Sequence, residues 1–257
     1  MTTRRLHRIF RSDGRALIVA MDHAILGGPM QGLEHPGKTI ERIIAGGADA
    51  VLATYGMARH FGKELAPLGL LLRCDGGGTG FGPGKGPDSI QFTVESALRL
   101  GADALVVCAY PGAPNEKVTL DNVARIVETA HRWGLPVMAE MVPGGFSSGA
   151  EFSTLEKISA AARIGAELGA DIIKSPYVED FAQVVSGAYV PIVILGGAKQ
   201  GSEREMLEKI KGAVDAGGAG VAVGRNIWQA ADTTRMTAAV AAILHGGATV
   251  DAAMALM

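Results

Sequence analysis

Most features that would assign this chain to a narrow class are missing. It has only two cysteines in 257 residues, Cys74 and Cys108, so no disulfide framework braces the fold and both read as buried thiols. No uncharged apolar run is long enough to span a bilayer. The first eleven residues carry four arginines but lead into no signal-peptide core. Lysine plus arginine number 24 against 26 aspartates and glutamates, a formal charge of -2, without the basic excess of a dedicated nucleic-acid binder. Charged residues make up 19% and hydrophobic ones 48%, which excludes disorder. These absences lead us to expect a cytoplasmic protein with no nucleic-acid or membrane partner.

Glycine, by contrast, is abundant at 36 residues, while aromatics contribute only 5%. Many of the glycines belong to an internal echo. Gly47-Ala48-Asp49-Ala50-Val51-Leu52 recurs as Gly101-Ala102-Asp103-Ala104-Leu105-Val106 and as Gly169-Ala170-Asp171-Ile172-Ile173. A degenerate copy is Gly218-Ala219-Gly220-Val221-Ala222-Val223. Each copy closes a helical pattern with a residue suited to left-handed backbone and opens a short aliphatic run of the kind buried on both faces.

Laid end to end, such units predict eight strands, near Leu17–Met21, Ala50–Ala53, Gly69–Arg73, Ala104–Ala109, Pro136–Met141, Ile172–Lys174, Pro191–Leu195 and Gly220–Val223. Helical patterns lie between them, among them Ser89–Leu100, Leu120–Trp133, Thr154–Leu168 and Glu203–Ala216. Eight strand–helix units without a dividing linker fit one (β/α)8 barrel, a TIM barrel, over residues 1–257. An open doubly wound sheet is the other arrangement, but no nucleotide fingerprint follows the first strand.

Chemistry in a barrel collects at the C-terminal strand ends. Lys174 ends a strand of isoleucines and is either a desolvated, nucleophilic amine or a solvated rim lysine. Asp22 closes the first strand, as an orienting or proton-transferring carboxylate or as a loop cap, and His23 beside it is a hydrogen-bonding partner. Asp75, Tyr110 and Glu140 also lie at strand ends. Gly196, Gly197 and Lys199 after the seventh strand, and Gly224 and Arg225 after the eighth, form either phosphate-binding loops or tight turns. The stretch from Gly76 to Gly86 holds seven glycines but fits neither nucleotide-loop pattern, and reads as a lid or as slack. Trp133 and Trp228 read as helix residues packed on the barrel. No cysteine–histidine–carboxylate spacing implies a metal, and no cofactor is expected.

Taken in order, Ala20-Met21-Asp22-His23, Gly46-Gly47-Ala48-Asp49, Tyr110-Pro111-Gly112, Ala170-Asp171-Ile172-Ile173-Lys174, Gly196-Gly197-Ala198-Lys199 and the segment from Gly220 to Gln229 resemble the archaeal-type class I fructose-bisphosphate aldolases. The wider family includes aminodideoxyheptulosonate synthases and an autoinducer-processing thiolase. The resemblance implies a metal-independent aldolase, a lyase, that binds a phosphorylated sugar or keto substrate through a Schiff base and assembles as a homo-oligomer. By position, Lys174 matches the Schiff-base lysine and Asp22 the aspartate assisting it. Gly197, Lys199, Gly224 and Arg225 match the phosphate loops.

One segment departs from the family pattern. Where relatives often have Tyr-Pro-Arg-Gly after the fifth strand, with the tyrosine as general acid and base, this chain has Val142-Pro143-Gly144-Gly145. Glu140 shares a strand face with Val142, so it is expected to replace the phenol with a raised pKa, helped by His23 or Tyr110, unless it pairs with Lys174 instead. The alternatives to an aldolase are a transferase, synthase or thiolase of the same imine chemistry, or a non-catalytic sugar-phosphate binder.

Overall fold

Two-sided burial of the aliphatic runs decides the architecture. A computed structural model describes residues 4–76, 78–82, 89–197 and 201–257. Among these, eight parallel strands close into a barrel: β1 (Ala16–Ala20), β2 (Ala50–Ala53), β3 (Gly69–Arg73), β4 (Ala104–Ala109), β5 (Val137–Met141), β6 (Ile172–Ser175), β7 (Ile192–Leu195) and β8 (Gly220–Val223). They follow chain order around the barrel, and β8 pairs with β1 through Ala16–Gly220 and its neighbours. Helices between the strands complete a TIM barrel.

Side-chain parity sorts each strand into two sets. Ile18, Leu52, Leu71, Val106, Met138, Ile172 and Val193 fill the interior, whereas Val19, Val51, Leu72, Leu105, Ala139, Ile173 and Ile194 pack outward under the helices. Ile9, fully buried after a short 3-10 turn at Leu6–Arg8, joins the interior set and closes the floor. The chain there passes so close to β3 that a Cβ on Gly69 would lie 2.4 Å from the Arg8 carbonyl oxygen.

The echoed aspartates have a specific job at this floor. The Asp49, Asp103 and Asp171 side chains accept the backbone N–H of Leu17, Leu70 and Val137 at 2.6, 2.9 and 2.9 Å. The backbone N–H of each aspartate donates back to the carbonyl of the same residue. Each aspartate therefore clamps the start of its own strand to the start of the strand before it. In the fourth copy the structural equivalent is Ala219, whose N–H donates to Ile192 O. The left-handed glycine is Gly217, so the echo is offset there by one residue.

Two sequence expectations are corrected. The helix anticipated from Ser89 begins only at Val94, where Thr93 caps it by accepting the Ser96 N–H; Ser89–Ile90 instead pairs antiparallel with Asp75–Gly76. Trp228 is buried as expected, but Trp133 stands at the end of the Glu116–Arg132 helix and is 56% exposed.

Candidate active site

The strand parity that fills the barrel with aliphatic side chains continues upward into polar ones. Two residues beyond Ala20, Leu71, Val106, Met138 and Ile172 stand Asp22, Arg73, Cys108, Glu140 and Lys174, and Asp75 follows Arg73 by a further two. All are buried. Strand register sets Cys108, Glu140 and Lys174 side by side on β4, β5 and β6.

Lys174, 5% exposed, places its Nζ 2.7 Å from Glu140 Oε1. Arg73 is the hub of the remaining contacts. Its Nε donates to Asp22 Oδ2 at 2.9 Å, its Nη2 to Glu140 Oε2 at 2.5 Å, and its Nη1 to Cys108 Sγ at 2.9 Å and, more distantly, to Asp75 Oδ1 at 3.3 Å. Asp75 Oδ2 accepts the Cys108 backbone N–H at 2.6 Å. His23 Nδ1 lies 3.4 Å from Asp22 Oδ1, and the His23 ring meets Trp228 edge-on.

These contacts drive the carboxyl groups apart. Burial works to raise Asp22, but Arg73, His23 and Lys174 together hold it well below the usual carboxylate range. Burial likewise works to raise Glu140, and the Lys174 and Arg73 cations outweigh it, bringing it to about 2. The expected raised pKa of Glu140 is thereby overturned, because the side chain meets two cations rather than an apolar wall. For Asp75 burial wins: Arg73 and the Cys108 N–H oppose it only in part, Glu140 adds repulsion, and the pKa is raised.

A cavity of about 560 Å³ opens over this cluster at the C-terminal ends of the strands. Lys174, Glu140, Arg73, Asp22, Asp75 and His23 line it, as do Gly196, Gly197, Gly224 and Arg225. Gly224 has no room for a side chain, since a Cβ would fall 2.6 Å from Ala20 O and 2.7 Å from His23 Cε1. Arg225 Nε is buried without a hydrogen-bond partner among the described residues, and Asn226 fastens the two glycine-bearing loops together by donating to Gly196 O at 2.8 Å. Gly78, Thr79 and Gly80 of the glycine-rich stretch also line the cavity, and the Gly80 N–H donates to Leu26 O at 2.7 Å. Gly77, residues 83–88 and Lys199 lie outside the described residues.

Tyr110 is not brought to the cavity wall. It packs with Cys108 and Val142, and burial, with Cys108 and Asp75 nearby, pushes its phenol far up. Sequence reasoning missed Arg73 altogether and took Cys108 for packing alone. The available signal was parity: an arginine two residues after an interior leucine, with an aspartate two residues further on.

A buried lysine on a closed-barrel cavity, with carboxylates and glycine loops lining the same space, defines a TIM-barrel enzyme of the Schiff-base aldolase class. Residues 16–230 match the family described as DeoC/LacD family aldolase, and the chain belongs to that family. It is 36% identical over 256 residues to the 2-amino-3,7-dideoxy-D-threo-hept-6-ulosonate synthase of Halobacterium salinarum, covering 98% of this chain and 95% of that protein. A synthase of the same description from Archaeoglobus fulgidus is 36% identical over 244 residues, 95% of this chain and 90% of the relative. Among solved structures, an archaeal fructose 1,6-bisphosphate aldolase superposes with a TM-score of 0.85 at 32% identity, covering 95% of this chain and 98% of the other. Another, with its catalytic lysine covalently bound to the carbinolamine intermediate, gives 0.83 at 31% identity over 93% and 98%.

Proposed function

We propose that Lys174 attacks the carbonyl of a phosphorylated keto substrate and that the resulting iminium draws the electron pair released when the adjacent carbon–carbon bond breaks. The observation that carries this reading is the buried Lys174 amine on the cavity wall, held by Glu140 at 2.7 Å and facing the space a substrate would occupy. Glu140 and Asp22, kept ionised by the cations beside them, orient Lys174 and the substrate hydroxyl groups. On the same cavity, the buried Nε of Arg225, without a hydrogen-bond partner among the described residues, and Gly196, Gly197 and Gly224 suit the substrate phosphate. Lys199 extends that loop in the sequence.

A second reading is favoured by the synthase relatives and by Val142 in place of the family tyrosine. Here the same lysine-bound fragment is passed to a second carbonyl acceptor rather than released, so that a bond is formed. Both readings use one intermediate. The enzyme acts on a small molecule. Its near-balanced charge, and the absence among the described residues of a helix long and apolar enough to cross a membrane, suit a cytoplasmic setting. Exposed Trp133 and Tyr189 on the outer surface suit a homo-oligomer.

Borohydride reduction in the presence of dihydroxyacetone phosphate and fructose 1,6-bisphosphate, followed by peptide mass mapping, tests the reading. A stable adduct is expected on Lys174 and lost in Lys174→Met. Adducts confined to other lysines, or to none, would remove it.

A further inference from the structure

Beyond the lysine, the site poses a problem of charge. Three carboxyl groups, Asp22, Asp75 and Glu140, share one buried cluster with two cations, Arg73 and Lys174, while the more exposed His23 stands at its edge and approaches Asp22 alone, at 3.4 Å. Ionising all three leaves an uncompensated negative charge out of water, which is strongly unfavourable. One carboxyl is therefore the natural home of a proton, and the distances single it out. Glu140 touches both cations, at 2.7 and 2.5 Å, and Asp22 accepts from Arg73 Nε at 2.9 Å. Asp75 has only the 3.3 Å approach of Arg73 Nη1, an atom whose nearer acceptor is Cys108 Sγ at 2.9 Å. Its Oδ2 is fixed by the Cys108 N–H, which leaves Oδ1 to carry a hydrogen.

The other acid–base groups around the cavity are less suited. Cys108 is held protonated by burial, and Tyr110 stands off the wall. His23 is turned toward Asp22 and Trp228. Asp75, by contrast, lines the same cavity as Lys174, and the short pairing of Asp75–Gly76 with Ser89–Ile90 fixes its backbone.

We propose that Asp75 is the catalytic acid–base of this enzyme, in the role that the family tyrosine fills where this chain has Val142. The inference rests on Lys174 forming the imine. As the imine forms, Asp75 gives up its resting proton to solvent, and with the iminium in place its carboxylate takes the proton of the substrate hydroxyl on the β-carbon. The O–H electron pair becomes the aldehyde carbonyl, the bond between α- and β-carbons breaks, and its electrons pass into the iminium to give an enamine. Asp75, now protonated, returns that proton to the α-carbon as the enamine reverts to iminium. Water then releases the ketone and the Lys174 ammonium, Asp75 regains its proton from solvent, and proton and electron counts close over the cycle. In the resting enzyme the proton on Asp75 is the one that charge balance demands.

Asp75→Asn keeps the shape and the acceptor for the Cys108 N–H but cannot shuttle a proton. With dihydroxyacetone phosphate as probe, exchange of its α-hydrogens in D2O, read by proton NMR, should fall by about 10²–10⁴-fold, the usual share of a general acid–base group. The borohydride-trapped adduct on Lys174 should persist. Exchange at the wild-type rate in Asp75→Asn would overturn the assignment. An adduct missing from the wild type would instead strike at Lys174, so the two failures are distinct. A measurement independent of substrate and of the variant's folding is the infrared spectrum of ligand-free wild-type protein with 13C-labelled aspartate at neutral pH. A protonated aspartate carboxyl band is expected, and its absence would overturn the proposal.

Discussion

The two ends of the barrel use the same residue types for opposite purposes. At the floor, Asp49, Asp103 and Asp171 each accept a strand N–H, and each also meets a partly exposed base: Arg11 and His245, Arg8, and His131 respectively. Water screens what remains, and the charges serve only to hold strands in place. At the mouth, Asp22, Asp75 and Glu140 lie almost without solvent around Arg73 and Lys174, and their protonation is set by one another. The floor aspartates meet their bases at the solvent edge, whereas the mouth carboxyls meet one another's partners out of water, and only there does one group's charge decide another's.

The largest effect that could break this contrast is expected from Arg73→Met. Removing the guanidinium strands three carboxyls beside one lysine, and breaking a buried pair in this way costs about 3–5 kcal/mol. Urea denaturation at pH 7 should register that loss, and Glu140 should titrate above its present value of about 2. A loss as small as that of an exposed ion pair would mean that water reaches the cluster.

How far the two ends were legible in the sequence differs for a physical reason. All eight strands could be read, because a run buried on both faces has to be aliphatic throughout, and Val, Leu and Ile there leave little ambiguity. Lys174 stood out because it interrupts isoleucines, and parity correctly joined Glu140 to the face of Met138 and Val142. Arg73 escaped because an arginine ending a strand is usually a solvated rim residue, and only the closed barrel shows that position 73 points inward. The consequence for Glu140 followed: its charge state depends on a partner 67 residues away. The echoed aspartates were visible as a repeat, but their role was not, since each one's N–H partner lies 32 to 34 positions earlier on the preceding strand.

A middle-sized effect sharpens the contrast from the other end. Asp103→Ala removes the acceptor of the Leu70 N–H and the partner of Arg8. A hydrogen bond to a charged group is worth about 1.5–3 kcal/mol, and Arg8 is exposed enough to add little. Thermal or urea unfolding should show a loss in that range, with borohydride trapping on Lys174 unchanged. If trapping fails as well, the floor and the mouth are coupled, and the division drawn between them is wrong.

The smallest effect concerns His245. Its Nδ1 lies 2.7 Å from Asp13 Oδ2 and its Nε2 2.9 Å from Asp49 Oδ2, so both ring nitrogens face carboxylates. Burial works to lower its pKa, but hydrogen bonds to Asp49 and Asp13 outweigh it and raise the pKa above the ordinary value. A group whose folded pKa is raised stabilises the native state fully below its unfolded value, about 6.5 for histidine. That contribution is lost as pH climbs through the folded value. The wild type should therefore lose stability from slightly acid toward alkaline pH, and His245→Gln should be less stable than the wild type at acid pH and closer to it at alkaline pH. Melting temperatures of the two proteins across that window check this. A constant difference between them would mean that His245 holds Asp13 and Asp49 as a neutral ring, and that its contribution is packing rather than charge.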